Sequence, residues 1–254
     1  MLRRVNAHER YISAAETEIA KFVEVVGQAD PATPVPTCPG WTVADLIRHY
    51  GTVQRWITHI VRTLPEERVA EGDLDLGLPD DVNDYPRWLA DGVPPLVTTL
   101  RATPGDTPAW AFGPDQHVRF WSRRVLHETV VHRADAELAL GREPVIDREL
   151  AADGVEEFLT TYTHHPRIAR RIAEFGRFGE TLHLHATDGD GEWMITLGPD
   201  GTRWERGHGK GAVAARGTTS DLLLLSYGRY EPKRCTVFGD EDLLSGWLAA
   251  AAPR

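Results

Sequence analysis

Apolar residues recur along the first half of the chain with the spacing of α-helices. One helical stripe predicts a first helix over residues 6–27, and it consists of Ile12, Ala15, Ile19, Phe22, Val23 and Val26. A second helix is predicted from Thr42 to about Thr63, because Thr42 is a favourable N-cap and Asp45 completes a pattern like a capping box. The inward stripe of this helix is predicted to be Leu46, His49, Val53, Trp56 or Ile57, and Ile60.

Two further helices are predicted before residue 145. An acidic stretch with glycine and proline, Pro65 to Asp84, is typical of a long exposed loop. The third helix is predicted at residues 86–102 and the fourth at about residues 118–140, with Gly141 as its C-terminal cap. Four helices with one long connection favour an all-α bundle over residues 1–145, and the interior of a bundle is a common place for a metal site.

The pattern changes after Pro144. One helix is predicted at residues 147–164, and short alternating segments at 181–186, 192–197 and 202–206 predict strands separated by hairpin turns. The remaining predicted elements are a strand at 211–217, a helix at 220–227, a strand at 235–238 and a final helix from residue 240. Residues 146–254 are therefore predicted to form an α+β domain, with helices against a small antiparallel sheet.

Composition limits the partners of the chain. The formal net charge of −10 argues against nucleic acid or an anionic membrane surface, since both attract basic patches. The sequence has no apolar run near the roughly 20 residues that span a bilayer, and charges near its N-terminus occupy the place of a signal peptide's apolar region. Two cysteines are too few for a disulfide framework, which favours a reducing cytoplasm as the location.

Glu128 and His132 are the strongest candidates for chemistry. They are four residues apart, so a helix would place both side chains on one face, one turn apart. The other residues of that face are apolar, namely Trp121, Val125, Ala136 and Ala139. A carboxylate and an imidazole in apolar surroundings are costly unless something there requires them, and a metal ion would require them.

A metal site needs a third ligand, and His49 is the best candidate because it lies on the apolar stripe of the second predicted helix. Two histidines and a carboxylate, with positions left for water or substrate, suit a catalytic zinc ion and also iron(II). The alternative is a polar ladder along the helix, because Arg124 lies one turn before Glu128. In that case His49 would be an ordinary core histidine, and spacing alone leaves both interpretations open.

Two other features carry a weaker signal. Cys38, between turn residues and beside Trp41, is interpreted as a packed structural thiol rather than a nucleophile. His183 and His185 alternate along a predicted strand and therefore face one side of the sheet. A solvated sheet face is the preferred interpretation of this pair, and a second metal site is the alternative.

Four motifs resemble the mycothiol-dependent maleylpyruvate isomerase family. They are TCPGWTVADLIRHYG at 37–51 and FWSRRVLHETVVHRADAE at 120–137, followed by HATDGDGEW at 185–193 and TTSDLLLLSYGR at 218–229. The resemblance covers nearly the whole chain. It implies a DinB-like four-helix bundle followed by a small α+β domain that resembles sterol carrier proteins. Tyr50 is a minor departure, since leucine is common there in the family.

The resemblance also implies a metal site and a chemistry. Members of the family hold a divalent metal, usually zinc, through three residues that correspond here to His49, Glu128 and His132. The implied cosubstrate is mycothiol, whose metal-bound thiolate would add to an electrophilic small molecule. In an isomerase such as maleylpyruvate isomerase, this addition allows rotation about the former double bond, and elimination then gives the trans product.

Other functions remain open at this point. A mycothiol S-transferase for detoxification or secondary metabolism would use the same metal centre, and a non-enzymatic metal- or lipid-binding protein is a third hypothesis. Arg124 and Arg229 are the candidate cationic partners of a dicarboxylate substrate, although Arg229 could equally be a surface arginine that caps its helix. The chain is expected to be a monomer or a small homo-oligomer.

Overall fold

The chain divides into two compact units, one ending at Pro144 and one beginning at Val145. A computed structural model describes residues 7–253. Residue 6, where the sequence predicts the first helix to begin, lies outside the described residues. None of the helices in the described part has the length and apolar character needed to cross a lipid bilayer.

The first unit is helical. Its helices are α1 (Ala7–Gly27), α2 (Val43–Thr63), α3 (Tyr85–Asp91), α4 (Val93–Ala102) and α5 (Val118–Ala139). Helix α5 packs against α1 and α2, and α4 packs against the same two helices. The predicted bundle is confirmed, with α3 and α4 together in the position of its third helix.

The third predicted helix is wrong in one respect, because it breaks at Gly92. Pro94 and Pro95 have no N–H to donate to the carbonyls four residues earlier, so the hydrogen bonds that would join the two segments into one helix are lost. Pro94 is tolerated because it lies in the first turn of α4. The break also brings backbone close to α2, since a Cβ added to Gly92 would lie 2.7 Å from Nη1 of Arg55.

The long loop from Pro65 to Asp84 contains two short 3₁₀ turns, Glu71–Asp73 and Val82–Asp84. It is largely exposed, as predicted, but it is tied to the bundle by two indoles. Nε1 of Trp56 donates to the carbonyl of Val69 at 2.8 Å, and Nε1 of Trp88 donates to the carbonyl of Leu76 at 3.1 Å.

The second unit combines four helices with a sheet in the described residues. The helices are α6 (Arg148–Thr161), α7 (Pro166–Phe175), α8 (Thr219–Ser226) and α9 (Glu241–Ala251). The strands are β1 (Thr181–Ala186), β2 (Glu192–Gly198), β3 (Gly201–Arg206), β4 (Val213–Gly217) and β5 (Thr236–Gly239), in the order β3-β2-β1-β4-β5. The predicted α+β class is confirmed.

Two predictions for this unit are wrong. The sheet is mixed rather than antiparallel, because β1 and β4 pair in parallel with Leu182 opposite Val213. The helix predicted to continue to about His164 ends at Thr161, and α7, which begins at Pro166, is not among the predicted elements. Proline is well suited to the first position of a helix, so Pro166 starts a new helix rather than extending the preceding one.

The two faces of β1 differ in character. Leu182, Leu184 and Ala186 are buried at 0%, 0% and 3% exposure and belong to the core. His183 and His185 alternate with them and point to the opposite face. The predicted placement of the two histidines on one face is therefore confirmed.

Candidate metal centre

Two helices position the candidate ligands. Helix α2 begins at a capping box, in which the Thr42 hydroxyl accepts from the backbone of Asp45 and the Asp45 carboxylate accepts from the backbone of Thr42. This cap sets where the helix begins and leaves His49 in its second turn. Glu128 and His132 lie in the middle of α5, one turn apart, on the side that meets α2.

The three candidate side chains converge on a single point. Nε2 of His49 lies 3.3 Å from Oε1 of Glu128, and Nε2 of His132 lies 3.1 Å from the same oxygen. The two imidazole rings are 4.9 Å apart between centroids. One ligand atom from each residue lies within 4.8 Å of the other two. Residues separated by 79 positions in sequence thus form one cluster of donors.

Burial and neighbouring charges have opposing effects on the pKa values of Glu128 and His132. Burial opposes ionisation of Glu128, but the Arg124 guanidinium, 2.9 Å from Oε2, and His132 outweigh it and hold the pKa of Glu128 well below its ordinary value. Burial opposes protonation of His132, yet Glu128 and Asp135 raise the pKa of His132. The contacts of Arg124 and His132 with Glu128 therefore form the polar ladder that is the alternative to a metal site. This ladder does not explain why His49, on another helix, approaches the same carboxylate.

Asp135 supports the cluster from behind. Its side chain is fully buried, and Oδ2 lies 2.9 Å from Nδ1 of His132. The Thr37 hydroxyl donates to Oδ1 at 2.6 Å, and the Cys38 thiol donates to Oδ2 at 3.5 Å. A carboxylate on Nδ1 leaves Nε2 of a neutral His132 as a bare nitrogen, which is the form that binds a metal. The contact agrees with the structural role expected for Cys38.

Aromatic rings enclose one side of the cluster. The Trp41 ring lies 5.1 Å from that of His49 and 6.5 Å from that of His132. Tyr50 is fully buried, its ring contacts Phe22 at 5.1 Å, and its hydroxyl bonds the hydroxyl of Thr129. Burial raises the pKa of Tyr50. Tyr50 is therefore a neutral packing residue, and its difference from leucine adds a hydrogen bond to α5.

The donor set suits a divalent metal. Two imidazole nitrogens and one carboxylate oxygen leave at least one coordination position open, as in catalytic zinc sites, and iron(II) fits the same set. His49 retains 34% side-chain exposure, compared with 8% for His132, so an incoming molecule can reach the cluster from the His49 side. The charged Asp135 behind His132 is the type of supporting contact that orients metal-bound histidines.

The two predicted substrate arginines have different surroundings. Arg124 is 2% exposed, and its guanidinium contacts the Glu128 carboxylate. Arg229 belongs to the second unit, where Nη1 donates to the carbonyl of Tyr227 at 2.9 Å, just beyond the end of α8. This contact matches the helix-capping alternative. Substrate binding by either arginine stays a prediction.

Asp135 is not among the predicted site residues. The sequence does hold a signal for it, since Asp135 lies three residues after His132 and so shares its helix face. The contacts from Thr37 and Cys38, 98 and 97 positions away, were not visible in that local pattern.

Comparison with known proteins identifies similar domains over most of the chain. The family described as mycothiol maleylpyruvate isomerase N-terminal domain matches residues 12–137, and the family described as the C-terminal domain of the same proteins matches residues 149–246. No curated protein matches the chain significantly by sequence.

Solved structures give the same fold. The crystal structure of the mycothiol-dependent maleylpyruvate isomerase matches with a TM-score of 0.64 and 16% identity, over 91% of this chain and 92% of that chain. A mutant of that isomerase matches with a TM-score of 0.63 and 16% identity, over the same shares of the two chains. Identity this low shows the shared fold and leaves the reaction to be argued from the site.

Proposed function

Because the chain belongs to the mycothiol-dependent maleylpyruvate isomerase family, we propose that it is a metal-dependent enzyme that activates a low-molecular-weight thiol. The proposed metal ligands are His49, Glu128 and His132, the proposed ion is zinc, and the proposed thiol is mycothiol. The observation that carries the proposal is the convergence of the two Nε2 atoms on one Glu128 oxygen, with Asp135 behind His132.

The bound ion would supply a Lewis acid next to which a thiol ionises near neutral pH. The residues of the chain make this possible in separate ways. Asp135 orients His132, and Arg124 keeps Glu128 ionised by lowering its pKa. Trp41 covers one side of the two imidazoles and limits the access of water there.

The proposed reaction begins with addition of the thiolate to an electrophilic double bond. The sulfur forms a bond to carbon, and the π electrons move to the conjugated carbonyl as an enolate. Rotation about the resulting single bond, collapse of the enolate and departure of the thiolate give the trans isomer, with no net oxidation. Protonation of the enolate carbon instead retains the sulfur–carbon bond, which is the outcome of an S-transferase. The isomerase is the preferred proposal because the family model that matches residues 12–137, where the three candidate ligands lie, carries that description.

A matched pair of variants tests the metal centre. Elemental analysis of the purified proteins should find about one equivalent of divalent metal more in wild type than in His49→Ala. His59→Ala is the control, since His59 lies on the same helix and outside the cluster. Equal metal content in wild type, His49→Ala and His59→Ala would contradict the proposed ligand set.

Activity distinguishes the remaining hypotheses. Wild type is incubated with mycothiol and a panel of cis-configured conjugated acids, and the products are followed by chromatography and mass spectrometry. Thiol-dependent cis–trans conversion supports the isomerase, and a stable thiol adduct supports the transferase. A protein that holds the metal but neither binds thiol nor changes any electrophile would support the non-enzymatic metal- or lipid-binding alternative.

A further inference from the structure

A second cluster of metal-binding side chains lies on the sheet of the second unit. His183 and His185 come from β1, Glu192 begins β2, and His208 follows the end of β3. The antiparallel register places His185 opposite Glu192, so their side chains share the face away from the core. Within residues 7–253, this cluster and the one on α2 and α5 are the two groups of donors with this geometry.

The four donors surround one small volume. Nδ1 of His208 lies 2.8 Å from Oε2 of Glu192, and Nδ1 of His185 lies 3.1 Å from Oε1. The centroid of the His183 ring is 5.5 Å from that of His185 and 5.4 Å from that of His208. One ligand atom from each of the four residues lies within 4.8 Å of the others. Tetrahedral zinc with bonds of about 2.0–2.1 Å separates its ligand atoms by roughly 3.3 Å, so small side-chain rotations close the set.

Backbone hydrogen bonds hold the segment that carries His208 near β1 and β2. The N–H of Gly207 donates to the carbonyl of Glu192 at 3.1 Å, and the N–H of Ala212 donates to the carbonyl of Thr181 at 2.8 Å. At Gly211 an added Cβ would lie 2.7 Å from the carbonyl oxygen of Val213 and 3.1 Å from the backbone nitrogen of His183. The segment from Gly207 to Ala212 is therefore fixed at both ends, and His208 is held near β1 and β2.

The contacts with Glu192 leave one imidazole nitrogen of the cluster without a hydrogen bond. The two carboxylate oxygens are engaged by His185 and His208. Nε2 of His183 is buried, lies 3.4 Å from Oε2, and makes no hydrogen bond. A buried imidazole nitrogen that makes no hydrogen bond is costly, and a bound ion would remove that cost.

We propose that His183, His185, Glu192 and His208 form a second metal site that binds zinc or a similar divalent ion. Three imidazoles and a carboxylate complete a tetrahedral shell, so the site has no open position and is structural rather than catalytic. The ion would give Nε2 of His183 a partner and would attach the segment after β3 to β1 and β2. This site is independent of the thiol-activating centre proposed on α2 and α5.

The test uses the full chain with the first cluster disabled by His49→Ala and Glu128→Gln. After treatment with a chelator, zinc chloride is titrated into this protein by calorimetry and by chelator competition. One equivalent should bind and raise the melting temperature. Adding His208→Ala should weaken binding by at least about tenfold, since loss of even a supporting contact costs 10–100-fold. His164→Ala, at an exposed histidine of the same unit, should leave the affinity unchanged.

The His208 variant should keep its fold, because 77% of that side chain is exposed. Glu192→Gln provides a second variant of similar shape and should weaken zinc binding to a similar extent. The proposal is overturned if the protein with the disabled first cluster binds no zinc. It is also overturned if the His208 and Glu192 variants, shown to be folded by circular dichroism, bind one equivalent with unchanged affinity.

Discussion

Replacement of Asp135 by asparagine tests whether a buried carboxylate prepares His132 for metal binding. Oδ2 of Asp135 contacts Nδ1 of His132 at 2.9 Å, and Oδ1 accepts from Thr37. Asparagine has nearly the same shape but offers one acceptor and no charge. If its amide nitrogen faces His132, the imidazole proton moves to Nε2, the atom that should bind the metal. If its oxygen faces His132, the hydrogen bond remains but the imidazole becomes less basic.

Both orientations weaken the metal site. Supporting contacts to metal-bound histidines are typically worth 10–100-fold in affinity, or about 1.4–2.7 kcal/mol. We therefore expect Asp135→Asn to raise the zinc dissociation constant by 10–100-fold, measured by competition with a chromogenic chelator in protein that carries His208→Ala to remove the second proposed site.

The control must separate metal affinity from general packing. Thr37→Val removes a hydrogen bond to Asp135 but leaves the contact with His132, so it should lower the free energy of unfolding with a smaller effect on zinc affinity. Urea unfolding of the metal-free proteins measures the packing cost. Equal zinc affinity in wild type and a folded Asp135→Asn variant would refute the role assigned to Asp135.

Three further predictions concern stability. Gly51→Ala should cost about 1–3 kcal/mol in urea unfolding, because the new Cβ would lie 2.2 Å from the Trp88 ring; an unchanged midpoint would contradict this packing. The pKa of His132 is raised in the fold, so its stabilising contribution is complete below about pH 6.5 and declines as pH rises through the folded value. The stability difference between metal-free wild type and His132→Gln should therefore shrink from pH 6.5 to 9, and a difference that widens would contradict the assignment. Asp188→Ala removes hydrogen bonds to the backbone N–H and hydroxyl of Thr219 and should cost about 1 kcal/mol, whereas no change on thermal unfolding would show that they contribute little.

Local signals predicted α1, α2 and α5 with bounds close to those observed. The start of α2 followed from Thr42 and Asp45, because a capping box is a contact between residues three positions apart. Its inward stripe was less accurate: Val53 is half-buried, whereas Tyr50 and Gln54 are buried. The predicted stripe assumed one contact surface, but α2 packs against α3, α4 and α5, which bury a broader part of its circumference.

Features that depend on distant parts of the chain were not predictable in the same way. The parallel pairing of β1 with β4 joins segments separated by two other strands, and nothing in either segment specifies its partner. The sequence predicts only part of the second histidine cluster. His183 and His185 alternate along one strand and so share a face, whereas His208 lies near them because of the path of the chain after β3. The period of a strand predicts a shared face, and only the sheet register shows which residues meet there.

The burial of α5 has a consequence for evolution and engineering. Sixteen of its 22 residues are buried, so most substitutions along it disturb the packing of the first unit as well as the candidate site. Natural variants with new specificities should therefore keep α5 and differ at more exposed positions of α2 and in the loop from Pro65 to Asp84. A mutant library that randomises those positions and leaves α5 intact should yield a larger folded fraction than one built on α5, at equal numbers of substitutions.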